Sequence, residues 1–479
     1  MILDKNSYFL LGIKGAAMAN IAVMLKQLGK RVSGVDVAEE FITDIALTEN
    51  AIPFTTDFKD EKILDGHDIF VYSAAHGGAD NTLALAAKKQ GLTIVSQPQL
   101  IGELVSRYKK SIAVAGCHGK TTTSSLLAWA LHRLQKNPSF LIGAPPFGGG
   151  GGGKMTDSEY MVVEADEYGV HPPKDKTPKL LFIHPVYTLC MNIDFDHPDV
   201  YDDLEMTKKT FLQFFSQSQT SVVCGDDPVI RTLLPTLVKK PVRVYGTTAD
   251  CDYQIVNQKA SETGISFELL KFGVSEGIFT SPLYGEKNIL NCAGAVALLL
   301  EAGFMADAIR MAISSFTGAK RRMETVWTDT KSYLLDDYGH HPAEIEATIK
   351  ALRSRFPGKK LHLLFQPHTF SRTAQLKDAF VAELSKADEV YLMPIFASAR
   401  ENAVSFDITS AELSRLAIQK GHNSFLAFDE KTSLLAHLKE KWSPGDVVVT
   451  LGAGDIYKLK DDIIDILNGK STQGRIGDR

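Results

Sequence analysis

The sequence lacks paired-cysteine motifs, long apolar runs and any excess of basic charge. Its five cysteines, Cys117, Cys190, Cys224, Cys251 and Cys292, are far apart, and no two have C-x-x-C spacing. The pattern therefore indicates neither a zinc site nor a disulfide framework. The formal net charge of −5 argues against a nucleic-acid-binding protein, because a surface that binds nucleic acid is basic.

Segments for membrane insertion or secretion are also missing from the pattern. The longest apolar stretch, CAGAVALLL, is too short to span a bilayer. The N-terminal MILDKNSYFLLGIKG has no basic start and only a short apolar run, unlike a signal peptide. We therefore expect a cytoplasmic protein with no membrane insertion.

Short apolar runs alternate with helical patterns along the chain. At 479 residues the chain is too long for one ordinary core, and the alternation favours three α/β blocks with parallel strands and crossover helices. Six glycines at 148–153 interrupt the second block, and we predict a mobile loop there, either a passive connector or a flap that closes on substrate. The predicted strands are SYFLLG, RVSGVD, DIFVYS, SIAVAG, YMVVEAD, VYTLCMNID, SYLLDD, KLHLLFQ, EVYLMPIF and DVVVTLG.

The stretch VAGCHGKTTTSS, between a predicted strand and a predicted helix, is typical of a loop that holds nucleotide phosphates. Backbone N–H groups and the helix dipole favour an anion there. Lys120 is predicted to reach the terminal phosphates and Thr121 to bind Mg²⁺ through its hydroxyl. The first glycine of the usual G-x-x-x-x-G-K spacing is absent, because Val114 stands in its place.

Acidic residues follow two of the predicted strands, in EADEY and NIDFDH. Ligands of open parallel sheets gather at the carboxyl ends of strands, so both segments are expected beside the phosphate loop if their strands neighbour its strand. Glu164 is the first choice for a Mg²⁺ ligand, and His197 is the second, with Asp194 or Asp196 orienting its ring. The alternative is that these acids are solvated strand ends or helix caps.

Taken together, these motifs resemble those of the Mur ligases, the ATP-dependent amide ligases of peptidoglycan precursor synthesis. The resemblance covers almost the whole chain and is carried by GCHGKTTT, EADEY, NIDFDHPD, FTGAKRRME, DDYGHHPAEI and FQPHTFSRT, in that order. It implies a shortened phosphate loop, in which Cys117 replaces the usual small hydroxyl residue. It also implies three α/β domains: a Rossmann-like UDP-sugar domain at 1–108, a P-loop ATPase-like domain at 109–321 and a Rossmann-like amino-acid domain at 322–479.

The resemblance implies the following site residues. The UDP-sugar contacts are Gly12, Lys14, Gly15, Asp36 and Ser73; the ATP contacts are Gly116, Cys117, His118, Gly119, Lys120, Thr121, Thr122, Asn288, Arg322, Asp336 and Asp337; the metal ligands are Thr121, Glu164 and His197; and the catalytic groups are Lys120, Arg322, His340, His368 and Arg372.

The reaction implied is the joining of L-alanine to the carboxylate of UDP-N-acetylmuramate through an acyl phosphate. ATP is the co-substrate, Mg²⁺ is the metal with Mn²⁺ as its substitute, and the protein is expected to be a monomer or weak homodimer. A ligase that attaches a whole tripeptide to the same sugar is the alternative, suggested by the insert GVHPPKDKTPKLLFIHP after EADEY. A P-loop switch and a binding protein without catalysis also remain open, because fold alone does not fix function.

Overall fold

The computed structural model describes residues 2–144, 151–197, 199–237, 241–396 and 407–469. They form two compact units. The first comprises Met1–Lys259, Ile265–Leu283 and Asn288–Lys320, and the second comprises Ala260–Gly264, Tyr284–Lys287 and Arg321–Arg479. Among the described residues, no helix is both long enough and apolar enough to cross a bilayer. The predicted domain boundaries stay a prediction.

The first unit begins with a five-stranded parallel sheet in the order β3-β2-β1-β4-β5. Its central strand is buried along its whole length, as expected of a parallel strand covered on both faces. The elements are β1 (Ser7–Leu11), α1 (Ala16–Gln27), β2 (Arg31–Val35), α2 (Thr43–Glu49), β3 (Phe54–Thr55), β4 (Ile69–Tyr72), α3 (Thr82–Lys89), β5 (Thr93–Ser96) and α4 (Gln97–Ser106).

The same unit continues into a ten-stranded sheet in the order β17-β16-β15-β14-β13-β12-β6-β9-β7-β8. Strand β6, which leads into the phosphate loop, lies between β12 and β9 and runs parallel to both. The elements are β6 (Lys110–Ala115), α5 (Lys120–Arg133), β7 (Ser139–Leu141), β8 (Gly153–Lys154), β9 (Tyr160–Ala165), β10 (Gly169–His171), β11 (Asp175–Pro178), β12 (Tyr187–Cys190), α6 (Leu204–Gln217), β13 (Thr220–Cys224), α7 (Pro228–Leu233), β14 (Val242–Gly246), β15 (Tyr253–Ser261), β16 (Gly264–Lys271), β17 (Val274–Ser281), α8 (Glu286–Glu301) and α9 (Ala306–Ser314).

The second unit holds a six-stranded sheet in the order β18-β19-β23-β20-β21-β22, with only β18 antiparallel to its neighbour. Successive residues of a strand face opposite sides, so Leu334 and Leu335 enter different core clusters. The elements are β18 (Glu324–Thr328), β19 (Tyr333–Asp337), α10 (Pro342–Arg355), β20 (Leu361–Phe365), α11 (Phe370–Gln375), α12 (Lys377–Leu384), β21 (Glu389–Leu392), α13 (Ser410–Gln419), β22 (Phe425–Ala427), α14 (Lys431–Lys441), β23 (Val447–Leu451) and α15 (Lys460–Leu467).

These elements confirm the predicted α/β alternation. Strand β12 ends at Cys190, earlier than the apolar pattern indicated, because the next residues leave the sheet and Asn192 binds the backbone of the phosphate loop instead. Of the predicted mobile glycine loop, 148–150 lie outside the described residues, whereas 151–153 pack closely and lead into β8.

Candidate active site

The phosphate loop joins the end of β6 to the start of the 14-residue helix α5. Gly116 and Gly119 have φ values of 134° and 84°, a region that favours glycine. Asn192 braces the loop through two hydrogen bonds: its Oδ1 accepts from the His118 N–H at 2.9 Å, and its Nδ2 donates to the His118 carbonyl at 2.9 Å. The sequence pattern did not identify Asn192, although it lies two positions after the end of β12, the strand beside β6.

Lys120 is held in an ion pair inside the loop. Its amine lies 2.7 Å from Glu167 Oε2 and donates to the Gly116 carbonyl at 2.7 Å, and both paired side chains are largely buried. Burial opposes the charged amine, but the nearby carboxylates raise the pKa of Lys120 above its ordinary value. Burial likewise opposes the carboxylate, but Lys120 and His197 lower the pKa of Glu167 to about 2. Both groups are therefore charged at neutral pH.

Thr121 and Glu164 face the same small space. A β-carbon built on Gly143 would lie 3.4 Å from Thr121 Oγ1 and 3.4 Å from Glu164 Oε2. Glu164 Oε1 also accepts from the Gly143 N–H at 2.8 Å and from the Ser124 hydroxyl at 3.2 Å. A hydroxyl and a carboxylate here offer the hard oxygen ligands that Mg²⁺ prefers.

His197 belongs to a second cluster, with Glu167 and Asp196, whose ligand atoms lie within 4.8 Å of one another. Its Nε2 lies 3.1 Å from Glu167 Oε1 and 3.7 Å from Asp196 Oδ2. Burial alone would lower the pKa of His197, but the Glu167 carboxylate raises it above its usual value. The nearest partner of His197 is therefore Glu167 rather than Asp194 or Asp196, and sequence reasoning missed it.

The backbone of Asp194 holds the Cys117 thiol through two hydrogen bonds. The thiol donates to the Asp194 carbonyl at 3.3 Å, and the Asp194 N–H donates to the sulfur at 3.1 Å. Burial raises the pKa of this thiol well above its ordinary value, so it stays protonated. The cysteine thus makes both contacts that a small hydroxyl residue could make.

Asn288 is linked to the phosphate loop through Asn291 on α8. The Asn291 Nδ2 donates to Asn288 Oδ1 at 2.9 Å, and a β-carbon built on Gly119 would lie 3.0 Å from Asn291 Oδ1. Asn291 therefore lies between Asn288 and the phosphate loop, and the contact of Asn288 with the nucleotide stays a prediction.

The Asp36 carboxylate makes three polar contacts at and near the glycine-rich turn after β1. Its oxygens accept from the backbone N–H groups of Lys14 at 2.7 Å and Val37 at 2.8 Å, and Oδ1 lies 2.9 Å from His76 Nε2. Gly12 closes the turn with a φ of 75°, and a β-carbon there would lie 3.3 Å from Ser73 Oγ. Asp36 therefore holds the turn in shape, and His76 is a neighbour that the sequence did not reveal.

The Lys14 side chain is buried away from the turn. Its amine donates to the Glu39 carbonyl at 2.8 Å, lies 3.2 Å from Asp44 and sits 5.0 Å from the centre of the Phe54 ring. The Lys14 amine already contacts two oxygens on the far side of the residue. Lys14 therefore contributes its backbone to the turn, next to Gly15, which directly precedes α1.

In the second unit, Asp336 and Asp337 end strand β19 and are buried. Asp336 accepts from the Thr450 hydroxyl at 2.7 Å and from Arg321 Nε at 3.2 Å. Asp337 accepts from the backbone N–H groups of Met323 and Gly339 and from the Thr348 hydroxyl, and burial raises its pKa. Both carboxylates therefore hold the end of the sheet together.

Polar side chains cluster beyond the ends of β19 and β20. The ring centres of His340 and His368 are 5.8 Å apart, and the Arg322 guanidinium lies 5.0 Å from the centre of the Tyr338 ring. His340 Nδ1 is 3.4 Å from Glu344. Burial, aided by the positive charge of Arg372 and Arg322 and opposed by Glu344, lowers the pKa of His340 to about 4, so its ring is neutral at neutral pH.

Three family models match in order along the chain. The Mur ligase family catalytic domain matches residues 8–109, the Mur ligase middle domain matches 114–299, and the Mur ligase glutamate ligase domain matches 321–454. The chain belongs to the Mur ligase family. This membership confirms the resemblance.

Two curated Mur ligases illustrate the similarity. The UDP-N-acetylmuramate–L-alanine ligase of Lactiplantibacillus plantarum is 36% identical over 455 residues, which cover 95% of this chain and 97% of that protein. The ligase of the same name from Desulfitobacterium hafniense is 33% identical over 457 residues, covering 95% and 98%.

Two solved structures share the Mur ligase fold. The UDP-N-acetylmuramate–alanine ligase of Thermotoga maritima superposes with a TM-score of 0.80 at 22% identity, covering 97% of this chain and 99% of that one. The murein peptide ligase of Psychrobacter arcticus gives a TM-score of 0.73 at 22% identity, with coverage of 97% and 99%. At these identities the likeness shows the three-domain α/β fold alone.

Proposed function

We propose that this chain uses ATP to join L-alanine to the carboxylate of UDP-N-acetylmuramate. The proposal rests on the Lys120 amine, which is fixed in a glycine loop between a parallel strand and a helix, beside the oxygens of Thr121 and Glu164. The names of the curated relatives, at one-third identity over nearly the whole chain, support this choice of substrates.

The chemistry follows from the weakness of a carboxylate as an electrophile. A carboxylate oxygen attacks the γ-phosphorus of ATP, the bond to the β-phosphate oxygen breaks, and ADP leaves. The amine of alanine then attacks the carbonyl carbon of the acyl phosphate, the C–N bond forms, and inorganic phosphate leaves. One amine proton passes to a base. Positioning and charge neutralisation supply most of the catalysis in such transfers.

The donor atoms in the first unit fit Mg²⁺. Thr121 and Glu164 would hold such an ion, and the separate cluster of His197, Glu167 and Asp196 also offers ligand atoms for a divalent cation. When bound, the ion neutralises charge on the phosphates. Lys120 does the same from the loop, once its amine exchanges Glu167 for a phosphate oxygen.

The arginines of the second unit suit the anionic groups of the reaction. We assign Arg322 to the transferred phosphoryl group and Arg372 to the carboxylate of the amino acid. His340 is a weak base with a pKa of about 4, far below that of an amino-acid ammonium group. His340 therefore fits the role of a neutral hydrogen-bonding group better than that of the base. His368 is the stronger choice for the base that accepts the amine proton.

The glycine-rich turn at Gly12–Gly15 is assigned to the diphosphate of the UDP-sugar. Helix α1 starts directly after it, so its first N–H groups and its dipole favour an anion. The side chains of Asp36 and Lys14 stabilise the turn through contacts within the protein rather than by binding phosphate.

The test is phosphate release with ATP and Mg²⁺, with and without UDP-N-acetylmuramate, across L-alanine, glycine, L-serine and a tripeptide. We expect release to need both co-substrates and to be fastest with L-alanine. If release is fastest with the tripeptide, the protein is instead a ligase that attaches a whole tripeptide to the sugar. Release with ATP alone would indicate a P-loop switch, and no release would indicate a binding protein without catalysis.

Lys120→Ala sharpens this test. We expect it to abolish ligation and leave UDP-sugar affinity nearly unchanged, since its amine contacts only the phosphate-loop domain. Lys110→Ala is the matched control, because it removes a more exposed lysine paired with Glu159 in the same sheet. Full turnover by Lys120→Ala would refute the role of the loop.

A further inference from the structure

One peptide group connects the predicted UDP-sugar turn to the predicted metal carboxylate. Asn20 lies on α1, is 6% exposed, and donates through Nδ2 to the carbonyl oxygen of Ile142 at 3.0 Å. The N–H of the same peptide unit belongs to Gly143 and donates to Glu164 Oε1 at 2.8 Å. Asn20 and Glu164 therefore bind opposite ends of one planar group.

The surrounding backbone leaves this peptide little freedom. The Ile142 N–H donates to the Gly152 carbonyl at 2.7 Å. A β-carbon on Gly152 would collide with the Ile142 carbonyl oxygen, and one on Gly153 would collide with the Asn20 carbonyl oxygen. These two glycines therefore let the start of β8 and the residue before it approach α1 and Ile142 closely enough for the Asn20 bond to form.

The arrangement has an electrostatic consequence. A hydrogen bond accepted by the carbonyl of an amide polarises the group and strengthens the bond that its N–H donates. The peptide thus holds Glu164 Oε1, and both oxygens of this carboxylate lie within 3.5 Å of the point where a Gly143 β-carbon would stand, beside Thr121 Oγ1. Loss of the Asn20 bond would free the peptide to rotate and would let the carboxylate turn with it.

We propose that Asn20 is a positioning residue that orients Glu164 for the metal–nucleotide complex through the Ile142–Gly143 peptide. Because α1 begins directly after Gly15, the same helix that ends the UDP-sugar turn also fixes the carboxylate at the ATP site. This inference rests on the proposed function for the identity of the two ligands.

The experiment measures the dissociation constant of a non-hydrolysable ATP analogue, with Mg²⁺ and with chelator, by calorimetry. Asn20→Ala is expected to weaken binding about five- to tenfold in Mg²⁺, the effect of one well-placed hydrogen bond, and to leave binding in chelator unchanged. Asn20→Leu, which has a similar shape and no donor, should behave alike and serves if the alanine variant folds poorly.

Two further variants complete the design. In a Glu164→Gln background, the effect of Asn20→Ala should shrink, because the group it orients is altered. Asn50→Ala is the matched control: it removes an amide-to-carbonyl bond of 2.8 Å to Ala46 in the same domain, and should leave the Mg²⁺ dependence unchanged.

The outcomes separate the two proposals. An equal loss with and without Mg²⁺, or no loss in either Asn20 variant, overturns the positioning role. Failure of the wild-type protein to bind the analogue in Mg²⁺ refutes the proposed function instead.

Discussion

The buried ion pair of Lys120 and Glu167 allows a quantitative prediction about the stability of the protein. The two charged atoms are 2.7 Å apart, and the side chains are 12% and 3% exposed. Removing one partner of such a buried pair leaves a charge without compensation, which costs about 3–5 kcal/mol. We therefore expect Lys120→Met and Glu167→Gln each to lower the free energy of unfolding by that amount.

The double variant separates pairing from simple truncation. With both charges removed, neither is left buried alone, so the loss should fall below the sum of the single losses by about 2–3 kcal/mol. The measurement is urea unfolding of all four proteins, without nucleotide and with chelator, followed by circular dichroism. Strictly additive losses would refute the pairing and the explanation of the low pKa of Glu167.

Three further predictions concern single side chains. Arg322→Ala should lower the single-turnover rate of phosphoryl transfer about 100-fold, as removal of one transition-state donor does, with little change in the dissociation constant of ATP. The neutral His340 ring contributes fully to the free energy of unfolding above its unfolded pKa of 6.5, and this contribution falls as the pH drops toward the folded pKa of about 4. Between pH 6.5 and 5 the wild type should therefore lose up to about 2 kcal/mol of unfolding free energy that the His340→Gln variant does not lose. Native Cys117 should resist iodoacetamide at pH 8, judged by mass spectrometry, because burial keeps its thiol protonated.

Each of these predictions has a clear contrary result. A nucleotide-affinity loss as large as the rate loss would remove Arg322 from the phosphoryl group. Equal pH dependence of wild type and His340→Gln in thermal unfolding would show that the ring is not held neutral. Labelling of native Cys117 as fast as in urea would show that the Asp194 backbone does not hold its thiol.

The sequence predicted part of the arrangement of the central sheet. It placed EADEY and NIDFDH beside the phosphate loop on the condition that their strands neighbour its strand, and β9 and β12 do lie on either side of β6. This succeeded because fully buried parallel strands leave a continuous apolar pattern, and their carboxyl ends share one edge.

The partners within the site could not be predicted in the same way. Glu164 and Glu167 stand three positions apart in one acidic segment, yet one faces Thr121 and the other faces Lys120. Arg321 and Arg322 are adjacent, yet Arg321, at a φ of 58°, binds Asp336, whereas the Arg322 guanidinium lies 4.0 Å from Glu344. Local backbone geometry beyond a strand end decides these choices, and the identity of the residues does not encode it.

The acid that holds the loop lysine has a consequence for ligand choice. An anion that binds the Lys120 amine competes with Glu167, which already pairs with this amine. Small anions such as sulfate or free phosphate bring fewer additional contacts to that competition than a nucleoside triphosphate, which brings a base, a sugar and two further phosphates. The loop thus carries an internal competitor that favours its large ligand over the abundant small ones.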